Sequence, residues 1–318
     1  MKRLTLPLLI LPFVSAALAA AEPQVLKSPT GRVVVTFALS DDGAPAYSVT
    51  YAGKPVVADS RLGLTLRPIG PLAAGFRVLD VKRASRDERY PLVAGKTREG
   101  HDRCEEMTVA LEKGGERPVR LDVVFRAFDD GAAFRYVLPV QPGLPHVEIV
   151  SEDTRFRFLA DHKAWVLELA SFTTSNEREF VPMPLLGIKP ESIVGPPLTI
   201  EAGDGLVVSL AEANLRKWSG LHFARVEGGN DSRHPTLVTK LAPLPSNPGV
   251  VVRGARRWPR PGACSCSGRS PATSSNRRFS RTSPTPTRSA TRPGSSPAKW
   301  RGTGGTGRWC RTCRGRLA

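Results

Sequence analysis

Hydrolytic or metal chemistry needs acids, imidazoles or thiols set in pairs, and this chain of 318 residues offers few such settings. Glu105-Glu106, Asp129-Asp130 and Glu152-Asp153 are adjacent acids that could act as carboxylate pairs. Asp129-Asp130 runs into Gly131 and reads as a hairpin turn, because aspartate closes such turns and glycine supplies positive φ. Glu105-Glu106 reads as the opening of a strand on a solvated edge, and Glu152-Asp153 as loop. The histidines His101, His146, His162, His222 and His234 form no His-Glu-x-x-His and no i,i+4 pair, so their spacing supports no metal site. There is no Gly-x-Ser-x-Gly elbow and no phosphate loop.

The cysteines divide the chain. Cys104 stands alone, whereas Cys264, Cys266, Cys310 and Cys313 fall near the C-terminus. Two short thiol pairs could make a four-thiolate zinc site. Here they are separated by a long low-complexity stretch with no predicted strands to hold them, so zinc is not expected. Charge divides the same way. The chain carries +17 overall, and residues 254–318 hold 14 Arg and one Lys with no acid, which is +15. The remaining 46 − 15 = 31 basic and 29 acidic residues leave residues 1–253 at +2. A nucleic-acid partner would have to be met by this tail alone, with sparse aromatics and no RNA-binding fold beside it; none is expected.

At the N-terminus Lys2 and Arg3 precede an apolar run from Leu4 to Val14 and small residues through Ala21. This is the pattern of a secretory signal peptide, residues 1–21, with cleavage after Ala19 or Ala21. A membrane-spanning helix would need roughly 20 apolar residues, and no later segment supplies them. The expectation is an exported protein, periplasmic or secreted, without a membrane partner once the signal is removed.

The elements that must position any chemistry are strands. Period-2 alternation marks strands at 32–39 and 47–51 around the Asp41-Asp42-Gly43 turn, and extended chain follows the Gly53-Lys54-Pro55 turn through Leu66. Two more arms flank Gly114-Gly115. In the second, Val119, Leu121, Val123, Phe125 and Ala127 share one face while Arg120, Asp122 and Arg126 take the other. Further strands follow Asp129-Asp130-Gly131 and run through 206–215. No long segment has a 3.6-residue period. The fold class is therefore all-β, a large antiparallel sandwich.

Four segments carry a family resemblance: "SRLGLTL" (60–66), "FRAFDDGAAFRY" (125–136), "VEIVSEDTRFRF" (147–158) and "LVVSLAEANL" (206–215). In this order they resemble the N-terminal domain of glycoside hydrolase family 97, bacterial α-glucosidases and α-galactosidases. The resemblance covers roughly residues 25 to 250. It implies a galactose-mutarotase-like β-super-sandwich at 22–253, followed in whole enzymes by a (β/α)₈ barrel bearing the catalytic carboxylates and by a small β-domain. It implies a carbohydrate partner, an α-linked oligosaccharide, and calcium as cofactor. By motif match, Glu212 in "AEANL" is the residue that would reach the metal; its ordinary reading is a salt-bridged strand end. No catalytic residue maps onto this sequence, so activity is not expected of it alone.

Residues 254–318 depart from the family pattern. Codons shifted by one base permit "LATPWRVLLLG" from residues 257–268 and "GDTSWIKPGKVAWDWW" from 289–307, both resembling the family's continuation. The tail is therefore expected to be out of frame from a point between about Val250 and Arg256, and disordered, because it buries too little apolar surface to offset its ordering entropy. The alternative is a stand-alone carbohydrate-binding sandwich, with Tyr90, Trp165 and Trp218 as candidate rings for stacking on sugars.

Overall fold

The computed structural model describes residues 22–93, 98–142, 144, 146–213, 215, 218–227, 234–254 and 268–274. The expected signal peptide and the tail cysteines lie outside these residues. Alternating sequence becomes antiparallel strand throughout: β1 (Gln24–Lys27), β2 (Val33–Leu39), β3 (Pro45–Tyr51), β4 (Lys54–Arg61), β5 (Leu64–Arg67), β6 (Gly70–Leu72), β7 (Phe76–Pro91), β8 (Glu99–Lys113), β9 (Val119–Phe128) and β10 (Gly131–Val137). The second half adds β11 (Val147–Glu152), β12 (Arg155–Arg157), β13 (Lys163–Glu168), β14 (Val181–Pro184), β15 (Val194–Glu201), β16 (Val207–Ala213), β17 (Leu221–Arg225), β18 (Thr236–Leu241), β19 (Val252–Gly254) and β20 (Gly268–Ser274). A 3₁₀ turn, Leu185–Gly187, is the one helical element among the described residues.

The strands form one long sheet in the order β1-β2-β3-β4-β12-β18-β17-β15-β16-β20-β10-β9-β8-β7, with β13 and β14 hydrogen-bonded beside β15. A smaller sheet runs β19-β11-β5-β6. The long sheet is joined by single rungs at Arg157↔Ala58 and Val194↔Phe223, where it bends rather than running flat. Bending lets its two ends face each other across one core. Phe37 of β2 and Tyr47 of β3 meet Phe125 of β9 and Phe134 of β10, with ring centroids at 5.8 Å for Phe37–Phe125 and 5.1 Å for Tyr47–Phe134. The same chain of rings continues through Phe156 of β12 to Phe223 of β17, 5.9 Å apart. These tilted and edge-on contacts are the favoured aromatic geometries.

The alternation of β9 is realised as read: Val119, Leu121, Val123, Phe125 and Ala127 are all buried. The Asp129-Asp130 turn does more than reverse the chain. Asp129 Oδ1 accepts the Thr30 backbone N–H at 2.8 Å and its hydroxyl at 2.6 Å, pinning the β9–β10 turn to the β1–β2 turn. Gly43 is required twice over in its turn. Its φ is +72°, and a Cβ there would stand 2.7 Å from the Phe76 carbonyl oxygen.

Two findings depart from the sequence expectations. Glu105-Glu106 does not open a strand: β8 starts at Glu99 and pairs with β7 as a ribbon that overhangs β9, whose pairing stops at Glu105↔Ala127. The segment 254–318, expected to be disordered, contributes β20, which pairs with both β16 and β10. Two neighbouring strand edges with unpaired N–H and C=O groups recruit any extended segment long enough to bridge them.

Candidate carbohydrate-enzyme site at the end of the sheet

Antiparallel order brings the end of β13, the start of β15, the end of β16, the start of β17 and the end of β18 to one end of the sheet. Glu212, the penultimate residue of β16, is there. Both of its carboxylate oxygens stand 3.2 Å from the Leu221 backbone N–H, so the side chain closes the β16–β17 connection. Around it, Ser219 donates its hydroxyl to the Ala242 carbonyl and Ala242 N–H donates to Gly220 at 3.1 Å. Glu168 accepts from the Ser192 hydroxyl at 2.7 Å, and Lys240 donates to the Glu191 carbonyl at 2.7 Å. His222 packs edge-on to Phe172 at 5.1 Å, and burial holds its imidazole below the usual histidine range against opposing backbone hydrogen bonds.

This end gathers polar groups without assembling a metal centre. Among the described residues no three His, Cys, Asp or Glu side chains stand close enough to hold a metal ion. Calcium takes 6–8 oxygens, and Glu212 offers one carboxylate already engaged by a backbone amide. The described residues of this chain therefore do not by themselves fit calcium. About 2 mM Ca²⁺, well above the Kd of dedicated sensor sites, should leave the melting temperature within about 1 °C of its value in chelator. Glu212→Gln should cost about 1–2 kcal/mol by weakening the bond to Leu221. Thermal melts of both proteins with and without Ca²⁺ check this, and a calcium-dependent rise confined to the unaltered chain would show that the site is already complete.

The aromatic candidates lie on three different elements. Tyr90, on the β7–β8 ribbon, lays its ring over Gly100, where a Cβ would sit 2.3 Å from the ring. Trp218 is 9% exposed, and its buried indole N–H has no hydrogen-bond partner. Trp165 of β13 is 37% exposed. Its indole N–H donates to Glu201 at 2.9 Å and the Lys163 ammonium covers its ring at 4.9 Å. A ring whose face carries its own lysine does not offer that face to a sugar.

Alternation missed a charged cluster on the ribbon. Glu106 accepts two hydrogen bonds at 3.0 Å from Arg86 and one at 2.7 Å from Arg126, and Arg126 also reaches Asp102 at 3.5 Å. Burial pushes the Glu106 carboxyl up, but the two guanidinium groups outweigh it and hold the acid below its ordinary range. Cys104, wholly buried beside them, has its thiol pushed to about 12, first by burial and then by Asp102. Such a thiol is not a nucleophile. The cluster couples three strands and carries no open position for a substrate.

Comparison with known proteins identifies the sandwich. The family profile described as "Glycosyl-hydrolase 97 N-terminal" matches residues 26–290. The chain belongs to this family. A retaining α-galactosidase of Bacteroides thetaiotaomicron is 26% identical over 239 residues, which cover 72% of this chain and 34% of that protein. A probable retaining α-galactosidase of Streptomyces bingchenggensis is 30% identical over 158 residues, 50% of this chain and 23% of that protein. Among solved structures, a glycoside hydrolase family 97 enzyme of Pseudoalteromonas sp. strain K8 in complex with acarbose superposes with a TM-score of 0.68 at 25% identity, covering 79% of this chain and 36% of the enzyme. A variant of the same enzyme was solved with panose. The chain thus spans about a third of the length of the relatives it matches. The family match continues past Arg253 through β20, so part of the stretch set apart by composition lies inside the matched span.

Proposed function

We propose that this chain is the N-terminal sandwich domain of an exported family 97 α-glycosidase and that, in the whole enzyme, it packs against the catalytic barrel. There Glu212 supplies one ligand of a calcium-containing sugar site whose other ligands come from outside this domain. The observation that carries the reading is the family match over residues 26–290 on a sandwich of the same fold as the acarbose-bound enzyme. The relatives' names favour a retaining mechanism on α-galactosides, and the acarbose and panose complexes support an α-linked oligosaccharide as the ligand of the whole enzyme.

Hydrolysis with retention needs two carboxyl groups about 5–5.5 Å apart, on either side of the bond. Three of the acids of this domain are engaged in structure: Glu106 by arginines, Asp129 by Thr30 and Glu212 by Leu221. In this reading the catalytic pair belongs to the barrel, encoded downstream in the shifted frame.

The test has two parts. Sequencing the gene beyond codon 245 and translating it in the shifted frame should give an open frame of several hundred codons containing the barrel; an immediate stop overturns the reading. The protein joined to that continuation should hydrolyse aryl α-galactosides or α-glucosides, and the chain as it stands should not. Lactose or maltose titration of the chain should give no saturable heat; saturable binding would favour a stand-alone carbohydrate-binding module.

A further inference from the structure

β7 is the last strand of the long sheet, and among the described residues its backbone pairs with β8 and with no other strand. Its outer edge is thus an open ladder, the kind of edge that templates pairing with another chain. Which groups it presents follows from the ribbon's own bonds. The Leu92 N–H donates to the Arg98 carbonyl at 2.9 Å, one step beyond the Pro91↔Glu99 pair. Antiparallel ladders alternate, and the register runs without a shift from Asp80 to Pro91, so the even-numbered residues bond to β8. Val81, Arg83, Ser85, Asp87 and Arg89 turn their N–H and C=O groups outward.

A second strand meeting this edge antiparallel must bring its own outward groups opposite these. When that strand is β7 of a second copy, odd-numbered residues face odd-numbered ones, which restricts the pairing to registers centred on a residue. Charge then selects among them. Centred on Ser85, Lys82 lies opposite Glu88, Arg83 opposite Asp87, Ala84 opposite Arg86 and Val81 opposite Arg89, with no like charges opposed. Centred on Ala84, Lys82 meets Arg86 and Asp80 meets Glu88; centred on Arg86, that residue meets itself and Arg83 meets Arg89. Wider shifts centre on Arg83, Lys82, Asp87, Glu88 or Arg89 and oppose each to its own copy. Like charges directly opposite destabilise a strand pair and unlike charges stabilise it.

We propose that the outer edge of β7 is a homodimerisation surface: two copies pair antiparallel about a two-fold axis at Ser85, and the sheet continues from one into the other. The charges that guard the edge against other strands match it to its own copy. Arg83 and Asp87 already have partners within the chain, the Val25 carbonyl at 2.8 Å and His101 at 2.6 Å. The pair that sets the register is Lys82 with Glu88. Their side chains are 78% and 69% exposed, and their neighbours in the chain are Asp80 at 3.7 Å and Arg86 at 4.0 Å. Being even-numbered, they fall at non-hydrogen-bonded positions across the axis, where opposed side chains stand closest. The inference rests on β7 and is independent of the glycosidase reading.

The test is sedimentation velocity of the full chain in reductant, which keeps Cys264, Cys266, Cys310 and Cys313 from cross-linking copies. Over about 1–300 μM, the range for an interface of small area, a reversible monomer–dimer equilibrium is expected. Ser85→Pro removes the outward N–H at the axis and no N–H of the β7–β8 ladder, and should weaken the dimer at least about tenfold. Lys82→Glu and Glu88→Lys each oppose like charges twice across the axis, and each should weaken it at least about fivefold. The double variant, Lys82→Glu with Glu88→Lys, restores opposite charges and should dimerise within about twofold of the unaltered chain. A chain that stays monomeric throughout the range overturns the proposal. So does a dimer indifferent to Ser85→Pro, which would place the contact on another surface, or single charge variants that the double variant does not rescue.

Discussion

Phe134→Ala should destabilise the domain by about 3–5 kcal/mol, as expected for deleting a fully buried ring. Phe134 is 4% exposed and lies between Tyr47 at 5.1 Å, Phe125 at 6.0 Å and Tyr136 at 6.2 Å. Those rings come from β3, β9 and β10, so the cavity would open where the two halves of the long sheet meet and cannot be closed by moving one loop. For a domain of this size the loss corresponds to a fall in melting temperature of roughly 6–20 °C. Phe134→Leu keeps most of the volume and should cost about 1.5 kcal/mol or less. Phe180→Ala, at a position 42% exposed, should change stability by about 0.5 kcal/mol or less. Urea denaturation of the three variants checks the order; a Phe134→Ala loss no larger than that of Phe180→Ala would mean that the two halves do not share this core.

Much of this core is legible in the residues alone, because a half-buried strand writes its orientation into a period of two. Val119 to Ala127 is the clearest case: five apolar residues alternate with Arg120, Asp122, Val124 and Arg126, all five are buried, and of the four between them only Val124 is buried as well. The segment Phe76–Pro91 is not legible in this way. Its sequence, FRVLDVKRASRDERYP, loses apolar alternation after Val81, and both faces of the ribbon are largely exposed. What keeps it extended is backbone pairing to β8 and cross-strand contacts such as the Arg89–Glu99 ion pair at 2.6 Å and the Asp87–His101 hydrogen bond at 2.6 Å. Charges of both signs on two arms cannot be matched until the register is known.

The candidate site shows the same limit at closer range. That Glu212 lies near the end of a strand follows from the alternation of Val208 and Leu210, but its contact with Leu221 depends on how the chain returns into β17. Glu152-Asp153 reads as loop, yet Glu152 ends β11, buried, accepting the Thr154 hydroxyl at 2.5 Å; Thr154 in turn meets the Tyr136 hydroxyl at 2.7 Å. A buried carboxylate is acceptable only with such partners, and all of them are tertiary or turn contacts that spacing does not encode. Segment 268–274 is the opposite case. Its composition gives no reason to expect a strand, yet its backbone pairs with both β16 and β10.

The second large effect lies on the ribbon. Glu106→Gln should cost about 2–3 kcal/mol at neutral pH, because it weakens charge-assisted hydrogen bonds from two arginines. Glu106 is 12% exposed and Arg126 24%, so solvent screens the pair only in part, and without Glu106 the Arg126 guanidinium keeps the more distant Asp102, at 3.5 Å, as an acidic neighbour. The full cost of breaking a wholly buried pair, about 3–5 kcal/mol, is not reached because Arg86 is 35% exposed. The pH dependence has a definite sign. Glu106 in the folded protein titrates below its ordinary value of 4.5, so its contribution is complete above that pH and is lost as pH falls through the lower folded value. The stability gap between the unaltered protein and Glu106→Gln should therefore hold from pH 7 to about pH 5 and shrink on further acidification. Arg126→Met should show the same convergence, and the double variant should be less destabilised than the sum of the singles by at least about 1 kcal/mol. Denaturant melts at pH 7 and near pH 3.5 decide it: a gap that does not change with pH would mean that Glu106 acts through packing alone, and that the ribbon is held to β9 by its backbone ladder rather than by this charge.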